Sequence, residues 1–149
     1  MANKFLDKWN QYNNIILEQE CRINNTTDIN KDRAEQPQIQ QNQVQDFLLY
    51  LRQNNIEFFK IRIPVYELIA SQSSVDCDKV KSLAKQPNSF NKLSNGQPIF
   101  ISKDNVIGDG HHRVYALKLI DKNADLSAWE VQTDIDSLLK MMKDFLNRY

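Results

Sequence analysis

The feature that most constrains this sequence is a glycine-flanked turn between an apolar pair and an amphipathic segment. The chain has 149 residues but only three glycines. Two of them, Gly108 and Gly110, stand on either side of Asp109 in the stretch VIGDGHHRVYAL, and the amphipathic segment begins at His111. Glycine accepts backbone conformations that other residues avoid. The order therefore predicts a strand, a tight turn and the start of a helix.

The start of a helix favours an anion, because its first N–H groups have no partners within the helix and it carries a partial positive charge. Arg113 falls in the first turn, and its guanidinium matches the geometry of phosphate or carboxylate. A surface salt bridge is the alternative role for this residue. Gly108 and Gly110 would let a ligand approach the backbone, or they would only make the turn. We expect a phosphate site here.

The other residues of the turn each have two interpretations. Asp109 is either a turn residue or helix N-cap, or a carboxylate that holds Mg²⁺ or accepts a proton from a hydroxyl. His111 and His112 are either catalytic, or one is bonded to the backbone inside the fold and the other lies at the surface. Zinc is disfavoured, because adjacent histidines in one helical turn diverge and no fourth ligand is evident.

Composition limits the class of protein. Lys plus Arg and Asp plus Glu both number 19, so no overall positive charge draws the chain to nucleic acid. Cys21 and Cys77 are isolated in the sequence, which favours separate thiols in a reducing compartment. The sequence shows neither a signal peptide nor a membrane span. We therefore expect a cytoplasmic protein of the α+β class.

Apolar spacing predicts the elements in chain order. A helix over residues 4–20 is followed by a polar linker at about 24–43 and a helix over 44–51. Five further residues (52–56) bring the chain to its compact part. There we expect a strand (57–63), a short helical segment (65–70), a helix capped by Ser74 or Asp76, a β-hairpin (98–107), a helix (111–121), a strand (128–133) and a helix capped by Asp134 or Asp136.

These elements divide the chain into two parts. Residues 1–56 form an N-terminal helical extension that contains the polar linker, and residues 57–149 form an α+β domain. In that domain a small mixed sheet is packed by helices. Phe5, Trp9 and Tyr12 share a face of the first helix, and this face is the candidate contact of a homodimer.

The segment PIFISKDNVIGDGHHRVYAL, preceded by IRIPVYELIASQSSVDCDKVKSLA, resembles the ParB/sulfiredoxin superfamily, and in particular its small ParB-like nuclease-domain proteins with a DGHHR box. The resemblance spans roughly residues 57–124 and implies a ParB/sulfiredoxin-like core, with the N-terminal helices added to it. It implies that His112 and Arg113 contact phosphate. It also places Ser71 and Gln72 near the same pocket, although a helix end capped by Gln72 is an equal alternative. His111 stands where sulfiredoxins have their reactive cysteine, so the chain is not expected to be a sulfiredoxin.

The resemblance leaves three functions open, because activity depends on the site rather than the fold. The leading one is a nucleotide- or phosphate-binding domain that acts on a phosphate ester by phosphotransfer, nucleotide hydrolysis or nuclease chemistry. Its candidate ligands are ATP, ADP or CTP with Mg²⁺, and its candidate catalytic residues are Asp109, His111, His112 and Arg113. The second is a catalytically silent module that senses a nucleotide or binds a protein. The third is a DNA-associated nuclease or accessory protein of a mobile element, which the net charge does not support.

Overall fold

The computed structural model describes residues 37–72 and 75–148, together with the backbone of residues 26–31. The helix expected over residues 4–20, with its Phe5, Trp9 and Tyr12 face, lies outside the described residues. The strands are β1 (Thr26–Lys31), β2 (Phe58–Pro64), β3 (Ala70–Gln72), β4 (Ile99–Ser102), β5 (Ile107–Asp109) and β6 (Asp125–Val131). The α-helices are α1 (Val44–Gln53), α2 (Cys77–Lys85), α3 (Ser89–Asn95), α4 (His111–Ile120) and α5 (Ile135–Leu146).

Four strands form one mixed sheet in the order β2–β6–β4–β5. β2 is antiparallel to β6, β4 is parallel to β6, and β4 and β5 form the expected antiparallel hairpin. With helices packed on this small sheet, the predicted α+β class is confirmed. β1 and β3 pair in parallel as a separate two-stranded sheet.

The helices cover both faces of the four-stranded sheet, because successive residues of a strand point to opposite faces. Ile101 and Ala128 belong to one buried cluster with Leu117 of α4. Phe100, the residue adjacent to Ile101 in β4, belongs to a second cluster with Phe47 of α1. The second cluster also includes side chains from α5. The turn that precedes α4 is therefore fixed between two packed layers.

Several predicted elements differ from the observed ones. A strand lies at Thr26–Lys31 within the expected polar linker, because pairing through the backbone does not require an apolar pattern. The stretch from Val65 is a 3₁₀ turn, Val65–Glu67, that leads into β3. Ile120, an apolar residue at the end of the helix predicted over 111–121, is 38% exposed. The short helix α3 was not predicted, whereas the caps at Asp76 and Asp134 are confirmed.

Two observations concern the environment expected for the chain. Cys77, the first residue of α2, is disulfide-bonded and is not the separate thiol that the sequence suggested. Among the described residues, every helix is too short or too polar to cross a lipid bilayer.

Candidate anion-binding site

The glycine-flanked turn has the predicted order, with β5 ending at Asp109 and α4 beginning at His111. Gly110 between them has φ 115°, a conformation that side chains disfavour, and a Cβ placed there would overlap Cγ2 of Ile99. A Cβ on Gly108 would stand 2.9 Å from Cδ2 of Leu138 in α5. Both glycines therefore allow close packing of the turn within the fold, in addition to any approach of a ligand.

Both histidines of the turn accept hydrogen bonds from the backbone of one neighbouring segment. Nε2 of His111 accepts from the N–H of Ser71 at 3.0 Å, and Nε2 of His112 accepts from the N–H of Asp76 at 3.1 Å. Both side chains are buried. These two hydrogen bonds connect β3 and the N-terminus of α2 to α4. The structural alternative had been that one histidine is bonded inside the fold and the other lies at the surface. Both are buried, so the surface position is wrong.

Burial lowers the pKa of His111 from its ordinary 6.5 to about 3, and the neighbouring His112 lowers this pKa further in the same direction. The ring is therefore neutral at physiological pH. A neutral imidazole nitrogen without a proton accepts a hydrogen bond, as Nε2 does from Ser71. At this nitrogen, His111 has the role of a structural acceptor.

We expect acid to destabilise the protein through His111. Because its pKa is depressed in the folded state, the unfolded chain binds the proton first, so this part of the stability is complete above pH 6.5 and declines toward pH 3. The contribution to the slope is at most about 1.4 kcal/mol per pH unit. Urea denaturation between pH 7 and 5 should show that the free energy of unfolding falls less steeply in His111→Gln than in the wild type. Glutamine keeps a hydrogen-bond acceptor but does not titrate. An unchanged slope in this variant would contradict the assignment.

Asp109 is fixed by backbone donors rather than left free in the turn. Its Oδ2 accepts the N–H of Ile39 at 2.8 Å, and its carboxylate also accepts from the backbone of Gly110. Burial raises the pKa of Asp109, while these bonds and the positive charges of Arg113 and Lys79 oppose that rise. Gly110, not Asp109, is the N-cap of α4. Asp109 therefore holds the segment that contains Ile39 against the turn.

The side chains around Asp109 do not form a preformed metal cage. Within residues 37–72 and 75–148, no three His, Cys, Asp or Glu side chains are grouped so as to hold a metal ion. The Nε2 atoms of His111 and His112 are directed to backbone N–H groups. Binding of Mg²⁺ through Asp109 would therefore depend on oxygen ligands from a bound phosphate, as is common for this ion.

A cavity of about 530 Å³ opens beside the turn. It is lined by the turn itself and by three cationic side chains from different helices: Arg113 of α4, Lys79 of α2 and Lys92 of α3. Among the described residues, Asp109 is the single acidic residue in the lining. The cavity therefore combines an excess of positive charge with the N-terminus of α4, which adds a partial positive charge of its own.

Arg113 lies in this cavity without a carboxylate partner. In the part of the chain that the structure describes, its guanidinium neither forms a salt bridge nor donates a hydrogen bond. Its Nη2 stands 3.3 Å from the position of a Cβ on Gly96, so the absence of a side chain there makes room for it. Burial lowers the pKa of Arg113 and the charge of Asp109 raises it, but arginine remains a cation in proteins. With the acidic residues of the described chain, Arg113 does not form the surface salt bridge that was considered for it.

The remaining predicted site residues divide between core and cavity. Ser71 and Gln72 lie in β3, so the helix end proposed as their alternative is wrong. Ser71 is fully buried, and its Oγ donates to the carbonyl of Ile107 at 2.5 Å. Gln72 lines the cavity, as do Gly108, Gly110, His111 and His112. Glu67, an acidic residue near β3 in sequence, is exposed on the 3₁₀ turn and does not line the cavity.

Sequence reasoning missed several residues of the cavity. Lys79 lies on the exposed face of α2 and also lines the cavity, and neither Lys92 nor Gln97 was considered. The segment before α1 was treated as linker, although Gln38, Ile39 and others of its residues line the cavity. None of these residues stands in a motif, and their positions follow from packing between distant parts of the chain. The unusual concentration of glutamine before residue 44 was the only visible signal.

Comparisons with known proteins give few matches. No family model matches the sequence, and no curated protein matches it. Two solved structures are similar, both of pNOB8-like ParB N-domains. One has a TM-score of 0.40 at 15% identity, covering 58% of this chain and 35% of that chain. The other has a TM-score of 0.37 at 17% identity, covering 55% and 30%. This chain thus spans about a third of each structure.

Both neighbours carry the ParB name. The likeness concerns the fold alone. What the site does must be argued from the contacts of this chain, since one fold serves many functions.

Proposed function

We propose that the protein binds a small molecule that carries a phosphate group, with a nucleotide as the leading candidate, in the cavity beside the Gly108–Arg113 turn. The phosphate would lie at the N-terminus of α4, between Arg113 and the backbone of Gly110. Lys79 and Lys92, which also line the cavity, would add positive charge.

The unpaired guanidinium of Arg113 carries this proposal. Removing a charged group from water costs free energy unless a partner compensates, so half-buried arginines usually face a carboxylate or another anion. The charge of Asp109 reaches Arg113, but among the described residues the guanidinium forms neither a salt bridge nor a hydrogen bond with an anion. An anionic ligand in the cavity would provide one, and a phosphate accepts two parallel hydrogen bonds from a guanidinium.

The size of the cavity supports a ligand larger than inorganic phosphate. Its volume of about 530 Å³ falls within the range of roughly 300–1,000 Å³ that is typical of small-molecule sites. Apolar side chains such as Ile99, Phe100 and Leu83 line it together with polar ones. A phosphate at Arg113 would leave room for an uncharged group against these residues.

The test is a thermal-shift screen of the wild type against ATP, ADP, CTP, GTP and inorganic phosphate, each with and without Mg²⁺. A ligand present at 100 times its Kd stabilises the folded state by about 2.7 kcal/mol. For a chain of this size, that corresponds to a rise in Tm of roughly 5–10 °C. We expect at least one nucleotide to give such a shift.

Arg113→Gln should weaken binding of that nucleotide roughly 10- to 100-fold, because it removes charge-assisted hydrogen bonds to phosphate. Arg52→Gln is the matched control, since Arg52 lies on α1 above the ring of Phe58, outside the lining of the cavity. The proposal fails if no phosphate compound shifts the Tm of the wild type, or if both substitutions weaken binding equally.

Phosphate-ester chemistry is a second candidate, favoured by the raised pKa of Asp109 within reach of the charge on Arg113. Carboxyl groups with raised pKa values in clefts often serve as acids or bases. Release of phosphate from a bound nucleotide in the presence of Mg²⁺, and its loss in Asp109→Asn, would support this function. Binding without release would support a nucleotide-sensing module. Association with DNA and formation of a homodimer stay untested predictions.

A further inference from the structure

Residues 37–41, which lie before α1, form one wall of the cavity although they lie outside the part of the sequence that resembles a known family. Ile39 is only 8% exposed and packs in the cluster that contains Phe47. Gln41–Gln43 form a 3₁₀ turn, and the side chain of Gln43 accepts the backbone N–H of Gln40 at 3.0 Å. The wall therefore has a defined backbone conformation and is anchored in the core.

A single long-range hydrogen bond joins this wall to the glycine turn. It runs from the N–H of Ile39 to Oδ2 of Asp109, between residues separated by 70 positions in sequence. The acceptor is a partly buried carboxylate, and hydrogen bonds to charged groups are stronger than those between neutral groups. Asp109 is thus placed to set the distance between the wall and the site of the phosphate.

The wall presents side-chain amides to the cavity. Five glutamines line the cavity: Gln38, Gln40, Gln41, Gln72 and Gln97. The first three of these belong to the wall. A second, more open cavity shares Gln40, Gln41 and Gln97 with the first. An amide offers both hydrogen-bond donors and an acceptor but no charge. Such a surface complements an uncharged group that itself carries donors and acceptors, rather than a second phosphate.

From this arrangement we infer that residues 37–41 are the selectivity wall of the cavity and that Asp109 is its positioning residue. The inference rests on the proposed function, because it assigns the second half of the same ligand. The phosphate end lies at Arg113, and the wall binds the uncharged polar end, which has the chemistry of a nucleoside. Asp109 acts on that end through Ile39.

The test compares two probes that share the charged group and differ in the uncharged one: nucleoside triphosphates (ATP and CTP) and inorganic tripolyphosphate. Affinities are measured by calorimetry for the wild type, Asp109→Ala and Asp109→Asn. The two substitutions remove the same charge, but asparagine retains a carbonyl oxygen that can accept from Ile39. The wild type should bind the preferred nucleotide at least 10-fold more tightly than tripolyphosphate.

Asp109→Ala should reduce the preference for nucleotide over tripolyphosphate about 10-fold, mainly by weakening nucleotide binding. Asp109→Asn should keep most of this preference. Hydrogen exchange of the Ile39 amide should be fast only in the alanine variant. Equal behaviour of the two variants would overturn the positioning role, as would a wild type that binds nucleotide and tripolyphosphate equally. In the latter case phosphate binding stands and only the wall is refuted, whereas a wild type that binds neither probe refutes the proposed function as well.

The double substitution Gln38→Ala and Gln41→Ala tests the wall and leaves the cap at Gln40 and the buried Ile39 in place. Both side chains are exposed, so the fold should be retained. We expect nucleotide binding to weaken about 10-fold and tripolyphosphate binding to change less than 2-fold. An unchanged preference for nucleotide in this variant would contradict the inference.

Discussion

Phe47→Ala is expected to lower the free energy of unfolding by about 3–5 kcal/mol, the usual cost of truncating a buried phenylalanine. Phe47 is fully buried and links three elements. Its ring centroid lies 5.2 Å from that of Phe100 in β4 and 5.3 Å from that of Phe145 in α5. A loss of this size is a large share of the roughly 5–15 kcal/mol that stabilises a typical domain. Urea denaturation, followed by far-UV circular dichroism, measures it.

Leu49→Ala on the same helix is the control. Leu49 is 52% exposed, and surface substitutions usually change stability by less than about 0.5 kcal/mol. The comparison also tests whether α1 belongs to the same folding unit as the sheet. A similar, small effect of both substitutions would mean that α1 does not contribute to the stability of the sheet, contrary to the packing of Phe47 against Phe100 and Phe145.

Gly110→Ala is the second substitution with a large expected effect, about 2–4 kcal/mol of destabilisation. Two costs combine. The backbone at φ 115° is strained for alanine, and the added methyl group would overlap Ile99, which is itself buried at the start of β4. Because Gly110 is the N-cap of α4, the same change should also displace the helix start that we propose binds phosphate.

Gly108→Ala separates backbone strain from crowding. Gly108 has no positive φ, and its added methyl group would meet the end of the Leu138 side chain at 2.9 Å. A flexible side chain can shift, so we expect a cost of about 1 kcal/mol, at the low end for overpacking. Thermal or urea denaturation of the two variants should rank Gly110→Ala as clearly the more destabilised. The reverse order would show that the conformation of Gly110 does not determine the stability of the turn.

The turn was predictable from sequence because its signals are local. Two glycines around Asp109, an apolar pair before them and an amphipathic segment after them specify a strand, a turn and a helix without reference to the rest of the chain. The same holds for Asp76 and Asp134, whose side chains accept hydrogen bonds from the first turns of α2 and α5. Local capping chemistry suffices for such predictions.

The partners of the turn were not predictable, because they come from distant positions. His111 and His112 accept from Ser71 and Asp76, and Asp109 accepts from Ile39, with nothing in the local sequence to indicate these bonds. A histidine that binds a phosphate and one that accepts a buried N–H look alike in sequence. Only the packing of β3 and of residues 37–43 against α4 distinguishes them.

The cations of the cavity illustrate the same limit. Arg113 was identified because it stands in the turn, whereas Lys79 and Lys92 converge on it from α2 and α3. α3 itself was missed, since a seven-residue helix of mainly polar sequence has too short a pattern to recognise. The sequence thus indicated one wall of the cavity, the glycine-flanked turn, and the other walls follow from the tertiary fold.

The central claim is that a phosphate group binds beside Arg113 at the start of α4, and NMR of the ¹⁵N-labelled protein tests it most directly. ATP, CTP and inorganic tripolyphosphate are titrated while the Arg113 side-chain Nε–H and the backbone amides of Gly110 to Arg113 are followed. The account predicts that these signals move first and furthest, and that they reach saturation. Saturable shifts confined to other parts of the protein, or the absence of shifts for all three compounds, would contradict it.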